Sequence, residues 1–220
     1  MDFVFTKLPY FTFGVFIIGL IWRLIRFFGK GIQSHPIFPY AKISTFKRVS
    51  TYLSQILLFT PIFRSDRTLW TISWAFHLSL ALILAGHIRM FAGIKINEKL
   101  AFLLGSFFGL IFLISMLILL LRRFGEAKVI STTEDYLVLL LLISIAVSGL
   151  LMRFSGHHYN LTAYILSIVS FSPITPRYDS LLLIHFLLAQ ILIAYLPYGK
   201  LFHSVGAFVT SYLPLRWQNA

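Results

Sequence analysis

The chain has 220 residues, of which 58% are apolar and only 12% charged, with a mean hydropathy of +0.85. A soluble domain carries about twice that share of charge, so water is excluded as the natural solvent and a bilayer takes its place. Cysteine is absent, which excludes disulfides, cysteine-ligated iron–sulfur clusters and thioether-attached haem from the chain itself. The net charge of +12 does not point to nucleic acid. The basic residues bracket apolar runs without forming a basic domain, and in that pattern they act as topology signals.

The first apolar run covers 8–28 and carries Arg23 and Arg26 near its end, where long side chains reach the headgroups. It is long and follows Met1-Asp2, which predicts a first spanning helix rather than a cleaved signal peptide. A polar connection over 29–67 holds Gly29, Gly31, Pro36, Pro39 and the basic Lys47-Arg48 step. Within it, FKRVSTYLSQILLF at 46–59 is amphipathic, which fits either a short helix lying in the interface or a plain loop. Further apolar runs follow at 68–92, 100–121, 135–152 and 180–198. All but the fourth run reach or approach the ~20 residues that cross the hydrocarbon, and the fourth lies within the tolerated range.

Lysine and arginine decide the orientation. Assigning the connections alternately to two sides puts thirteen on the side of 23–67, 122–128 and the tail from Lys200, against six on the other. The richer side is expected to be cytoplasmic. The N-terminus then lies outside and the C-terminus inside, as five crossings require. No segment repeats another and no pair of broken helices suggests inverted repeats, which lowers the case for a secondary transporter. The expected architecture is one all-α integral membrane domain over 1–220, a five-transmembrane-helix bundle in the cell inner (cytoplasmic) membrane.

Of seven histidines, His35 and the His157-His158 pair fall in polar connections and read as solvated or interfacial. His77 and His87 lie in the second run, and His185 and His203 lie in or just beyond the fifth. An imidazole in hydrocarbon must find a partner, and the bland partner is a hydrogen bond across helices. Four such residues sorted as two pairs on two segments favour a functional reading. Metal transport or a proton path would call for carboxylates nearby. The acids Asp2, Asp66, Glu98, Glu126, Glu134, Asp135 and Asp179 all lie at segment ends or in connections. A zinc site would need three or four ligands converging on one centre.

A helix rises ~1.5 Å per residue, so His77 and His87 are ~15 Å apart along their axis. That is too far for one metal and suits two stacked cofactor levels. The second and fifth segments run in opposite directions, so His77 pairs with His203 at the inner level and His87 with His185 at the outer. A six-coordinate haem gripped by two imidazoles fits each pair, and such iron carries electrons without binding a gas. His185 and His203 are ~27 Å apart in an unbroken helix, a mismatch that Pro197 helps to absorb by bending the chain. Gly86 and Gly93 predict either close approach of a porphyrin edge or a helix–helix contact. Arg89 at the outer end, and Arg64 and Arg67 at the inner, are candidates to neutralise propionates or to act as interfacial anchors.

The ten-residue pair in FHLSLALILAGH, the eighteen-residue pair in HFLLAQILIAYLPYGKLFH, the Gly86-His87 step and the PYGKLFH ending together resemble the respiratory nitrate reductase gamma family of cytochrome b subunits. That family also takes in the membrane subunits of heterodisulfide reductase and of sulfite-reduction-associated complexes. The PYGKLFH ending and STTEDYLVLLLLISIAVSGLLMRF look closer to these last members than to nitrate reductase gamma subunit proper. The resemblance implies two b haems, the outer held by His87 and His185 and the inner by His77 and His203. It implies electron exchange between menaquinone or another quinone and a cytoplasmic iron–sulfur subunit, alongside further membrane or outer-face cytochrome subunits. Arg89, Lys95, Lys99 and His158 are then the polar candidates for a quinone pocket near the outer haem. Rival readings are a formate dehydrogenase or hydrogenase gamma-like dihaem subunit, against which the spacings argue, and a haem-free anchor or transporter.

Overall fold

The computed structural model describes residues 2–29, 44–94, 96–155 and 161–202, and every regular element among them is helical. The helices are α1 (Asp2–Thr6), α2 (Leu8–Gly29), α3 (Thr45–Leu57), α4 (Thr60–Ser65), α5 (Arg67–Phe91), α6 (Glu98–Phe124), α7 (Thr133–Phe154), α8 (Thr162–Val169) and α9 (Ser180–Tyr195). Short 3-10 turns lie at Lys128–Ile130 and Lys200–Phe202. Four helices, α2, α5, α6 and α7, are long and apolar enough to cross a membrane. On α6, Leu103, Phe107, Leu110, Ile114, Leu117 and Leu121 are all exposed at steps of three and four, one apolar face that only lipid covers comfortably. The chain is an all-α, multi-pass membrane protein.

The described residues form two compact units, one from Met1–Val15 with Ala75–Ala194 and the other from Phe16–Trp74 with Tyr195–Ala220. In the first, α6 and α7 make an antiparallel hairpin. Asn97 caps α6 by accepting from the Lys99 and Leu100 amides at 3.0 and 3.2 Å, and Arg122 and Arg123 sit in its last turn, where they complement the helix dipole. The Asp135 carboxylate accepts from the Thr132 amide at 2.8 Å and also meets Arg123 at 3.3 Å, so one side chain starts α7 and ties it to α6. Small residues let the two helices close up: a Cβ on Gly109 would meet Leu150 Cδ2 at 2.9 Å. Phe76, Phe112, Met116, Leu139 and Leu142 form the buried core.

The same unit holds a second, aromatic cluster. Phe5 is buried with its ring 5.9 Å from Tyr164, 4.9 Å from Tyr178 and 5.0 Å from Phe186. The Tyr164 hydroxyl donates to the Phe5 carbonyl at 2.8 Å, and the Tyr10 hydroxyl to Ile168 at 2.9 Å. These bonds seat α8, a helix the apolar runs did not announce, on the N-terminal segment.

In the second unit, the amphipathic stretch expected over 46–59 is a helix over Thr45–Leu57, capped by Ser44. The Trp70 indole donates to the Leu58 carbonyl at 2.6 Å, which joins its end to the start of α5. The last helix, expected over 180–198, stops at Tyr195, 16 residues long, because Pro197 has no amide to continue it. The Tyr198 and Gly199 amides instead turn back to the Tyr195 carbonyl at 2.9 and 3.2 Å. Tyr198 then lies against α2: Arg23 donates to its carbonyl at 3.2 Å, and a Cβ on Gly19 would come within 2.5 Å of its ring.

Candidate functional site

His87 near the end of α5 and His185 in the first half of α9 come together, with ring centroids 6.4 Å apart and planes inclined by 17°. They are 98 positions apart in sequence, so the fold alone makes the pair. Each ring has one nitrogen already committed. His87 Nδ1 lies 2.8 Å from the Ile83 carbonyl, and a carbonyl can only accept, so Nδ1 carries the proton. His185 Nδ1 lies 3.0 Å from the Ser148 hydroxyl. That hydroxyl donates to the Ile145 carbonyl at 3.0 Å, so its oxygen accepts from Nδ1–H. In the neutral form of each ring the lone pair then lies on Nε2, which has no hydrogen bond recorded among the described residues.

This is the donor set of a metal-ligating histidine pair, in which the second nitrogen is held by a carbonyl or hydroxyl that fixes tautomer and orientation. Two metal–nitrogen bonds of about 2 Å, with the half-widths of two rings, separate trans imidazole centroids by about 6 Å. The observed spacing fits one metal between them. Among the described residues no group of three or more His, Asp or Glu could share an ion, so a zinc-type cage is not built from them. Ser148 is buried, and a Cβ on its neighbour Gly149 would stand 3.1 Å from His185 Cε1. The glycine makes room for the ring, and the serine holds it.

The other predicted residues are placed as follows. His77 is half-buried on α5, its ring 4.6 Å from that of Phe76 in an edge arrangement. His203, its expected partner, lies outside the described residues, as do His35, His157, His158 and Lys95. Gly86 is exposed, with no described atom within 4 Å of an added Cβ, so no described helix packs on it. Gly93 has φ +65° in the turn that ends α5, a conformation glycine adopts without strain. Arg89 is partly buried and donates to the Ile94 carbonyl at 3.1 Å. Arg64 in the last turn of α4 and Arg67 at the start of α5 are exposed, Arg67 stacking 5.5 Å over Phe63. Lys99 is exposed in the first turn of α6. Sequence alone does not single out Ser148 and Gly149: a serine in an apolar helix ordinarily bonds back to its own turn, as Ser144 does to Leu140.

The family model for the nitrate reductase gamma subunit matches residues 35–220. The chain belongs to that family. Among curated relatives, this gamma-family chain is similar to the Hdr-like menaquinol oxidoreductase cytochrome b-like subunit of Archaeoglobus profundus, at 28% identity over 94% of this chain and 76% of the relative. The subunit of the same description from Archaeoglobus fulgidus is 24% identical over 91% of this chain and 75% of its own length. The resemblance carried by the histidine spacings and the PYGKLFH ending thus holds, and the protein is a cytochrome b-like membrane subunit of an oxidoreductase family.

Proposed function

We propose that this gamma-family subunit is a dihaem cytochrome b that exchanges electrons between a membrane quinone and a cytoplasmic iron–sulfur partner. The observation that carries the reading is the His87–His185 pair, two facing-helix imidazoles with both Nδ1 atoms engaged and both Nε2 atoms uncommitted. His87 and His185 would hold the outer haem, and by spacing alone His77 and His203 the inner one. When bound, haem supplies one-electron chemistry. The protein's part is to hold the ligands rigidly, to give the iron two strong nitrogen donors and no open position, and to keep water away. Ser148 and the Ile83 carbonyl do the first of these by locking the ring orientations.

The fifth crossing is supported by contacts at the two ends of α2. Phe5, just before α2, meets Phe186 near the start of α9, whereas Arg23 in the last third of α2 meets Tyr198 just past the end of α9. Four long helices lie between the N-terminal segment and α8, an even number, which suits their contact on one side. The lysine and arginine count supports placing that side outside and the basic connection inside. Both relatives are named as subunits of a menaquinol oxidoreductase, which supports a quinone as the partner here, with the sulfite-reduction or heterodisulfide branch of the family preferred over nitrate reductase gamma subunit proper.

The full-length protein in membranes tests this optically. A reduced menaquinone analogue should generate the sharp alpha band of b haem within seconds. A haem-containing protein that no quinol reduces and no quinone oxidises contradicts the quinone assignment; a colourless one contradicts the whole reading in favour of an anchor or transporter.

The same topology puts α3 at the inner interface. Phe46, Val49, Leu53 and Leu57 are exposed along one stripe at steps of three and four, in a helix that also carries Lys47, as an in-plane helix on an anionic leaflet requires. Because the chain has no cysteine, single cysteines can be labelled cleanly. Fluorophores at 49 and 53 should be quenched by brominated lipid and one at Gln55, on the opposite face of the helix, by aqueous iodide; equal aqueous quenching at all three would place α3 in water.

A further inference from the structure

The corner between α3 and α5 carries a groove that none of the roles above uses. Phe59, between α3 and α4, has φ 49°, in the left-handed region that a phenylalanine ordinarily avoids. The chain folds back there at once, the Ile62 and Phe63 amides both donating to the Phe59 carbonyl, at 2.9 and 3.1 Å. The Trp70 indole, bonded to the Leu58 carbonyl, fixes the corner from the side of α5. Strain of this kind persists where its surroundings hold it, and it points to a use for the shape it produces.

That shape is a groove of about 340 Å³ along the second half of α3, lined by Ser50, Leu53, Ser54, Leu57 and Leu58. Both serine hydroxyls turn back on their own helix: Ser50 donates to the Lys47 carbonyl at 3.0 Å and Ser54 to the Thr51 carbonyl at 2.8 Å. The lining is almost wholly apolar. The volume is at the small end of the ~300–1,000 Å³ of small-molecule sites, which suits one slender hydrocarbon chain. Leu53 and Leu57 also belong to the exposed stripe of α3, so the groove opens where lipid tails reach it. A line of contacts leads from here to cations. Trp70 meets the Phe63 ring edge-on at 5.0 Å, and the Arg67 guanidinium lies 5.5 Å over that ring. Arg64 follows Phe63 in the last turn of α4. Residues 44–74 carry Lys47, Arg48, Arg64 and Arg67 against the single acid Asp66, whose carboxylate accepts from the Leu69 amide at 2.8 Å. An apolar slot that ends in excess positive charge complements a molecule with a hydrocarbon tail and an anionic head.

We propose that this corner binds one anionic phospholipid, an acyl chain lying along Leu53, Leu57 and Leu58 and the phosphate on Arg64 and Arg67. The site rests on the interfacial placement of α3 given above and not on haem. Bound there, the lipid ties α3 to the start of α5 and holds the corner in its strained turn.

Native mass spectrometry of the full-length protein, released from nanodiscs of equal phosphatidylglycerol and phosphatidylcholine, tests this. Wild type should keep one phosphatidylglycerol per chain in preference to phosphatidylcholine. Arg64→Gln combined with Arg67→Gln, at two exposed side chains, should lower that retention about tenfold or more. Ser54→Trp, which fills the groove and keeps the charge, should do the same, whereas Lys128→Gln, which removes a cation from the α6–α7 connection, should not. Equal retention of both lipids, a retained quinone in place of phospholipid, or undiminished phosphatidylglycerol in the double arginine variant overturns the proposal. The assay needs no haem, so a colourless preparation contradicts the function proposed above and leaves this result standing. Iodide quenching that put α3 in water would remove the basis of the site separately.

Discussion

Replacing His87 with alanine should lower the haem content of the purified protein from about two per chain to about one, and replacing His185 should remove the same spectral component. The expectation comes from geometry. The two rings are 6.4 Å apart, whereas His77 stands ten residues from His87 along one continuous helix, ~15 Å away. The decisive variant is therefore the double one. His87→Ala with His185→Ala should lose nothing beyond either single change, because one iron has already lost its site. His77→Ala combined with His185→Ala should leave the protein without haem. Haem content per chain, measured on detergent-purified protein that still runs as one folded species, reads the result. If His77 and His87 instead behaved as a pair, the antiparallel assignment would be wrong.

The second large effect is expected at Gly149. An added Cβ there already stands 3.1 Å from His185 Cε1, tighter than most real contacts, and leucine would drive three further carbons into the ring's place. Gly149→Leu should abolish the outer haem component while leaving the inner one. Ser144→Leu, an exposed site on the same helix whose hydroxyl only bonds back to Leu140, should leave both. Between these limits lies Ser148→Ala, which removes the acceptor for His185 Nδ1 without crowding the ring. Loss of such an outer-shell partner typically weakens metal affinity about 10- to 100-fold, so haem should dissociate faster and not be absent at the start. Retention of full haem in Gly149→Leu would mean that His185 does not need its present position.

The spans were legible because the bilayer imposes a length and lysine and arginine mark its edges; α2, α5, α6 and α7 differ from the apolar runs by three residues or fewer at any end. Capping explains the differences. Asn97 and Thr132 start α6 and α7 slightly before the apolar runs begin. Hydropathy passes smoothly through Pro197 and so predicts a longer last helix, while the backbone cannot continue through it. α8 was missed because its contacts are tertiary: the Tyr164 and Tyr10 hydroxyls find carbonyls more than 150 positions away.

The candidate site divides in the same way. That His87 and His185 belong together followed from helix direction and spacing. That Ser148 would hold the ring and that Gly149 would make space for it depended on which faces of α7 and α9 meet. No periodicity encodes that in spans whose apolar residues run all the way round. Arg89 was visible from sequence as a cation at an outer end, but its buried, unpartnered Nε was not. The inner pair stands on sequence spacing alone, since His203 lies outside the described residues.

Low-temperature electron paramagnetic resonance of the oxidised full-length protein, with haem counted on the same sample, addresses the paired imidazoles most directly. The proposed ligation predicts low-spin ferric iron with two nitrogen axial donors, at about two haems per chain, and loss of one signal in His185→Ala. A wild-type spectrum dominated by high-spin iron with an open position, or a folded protein containing no iron at all, would contradict it.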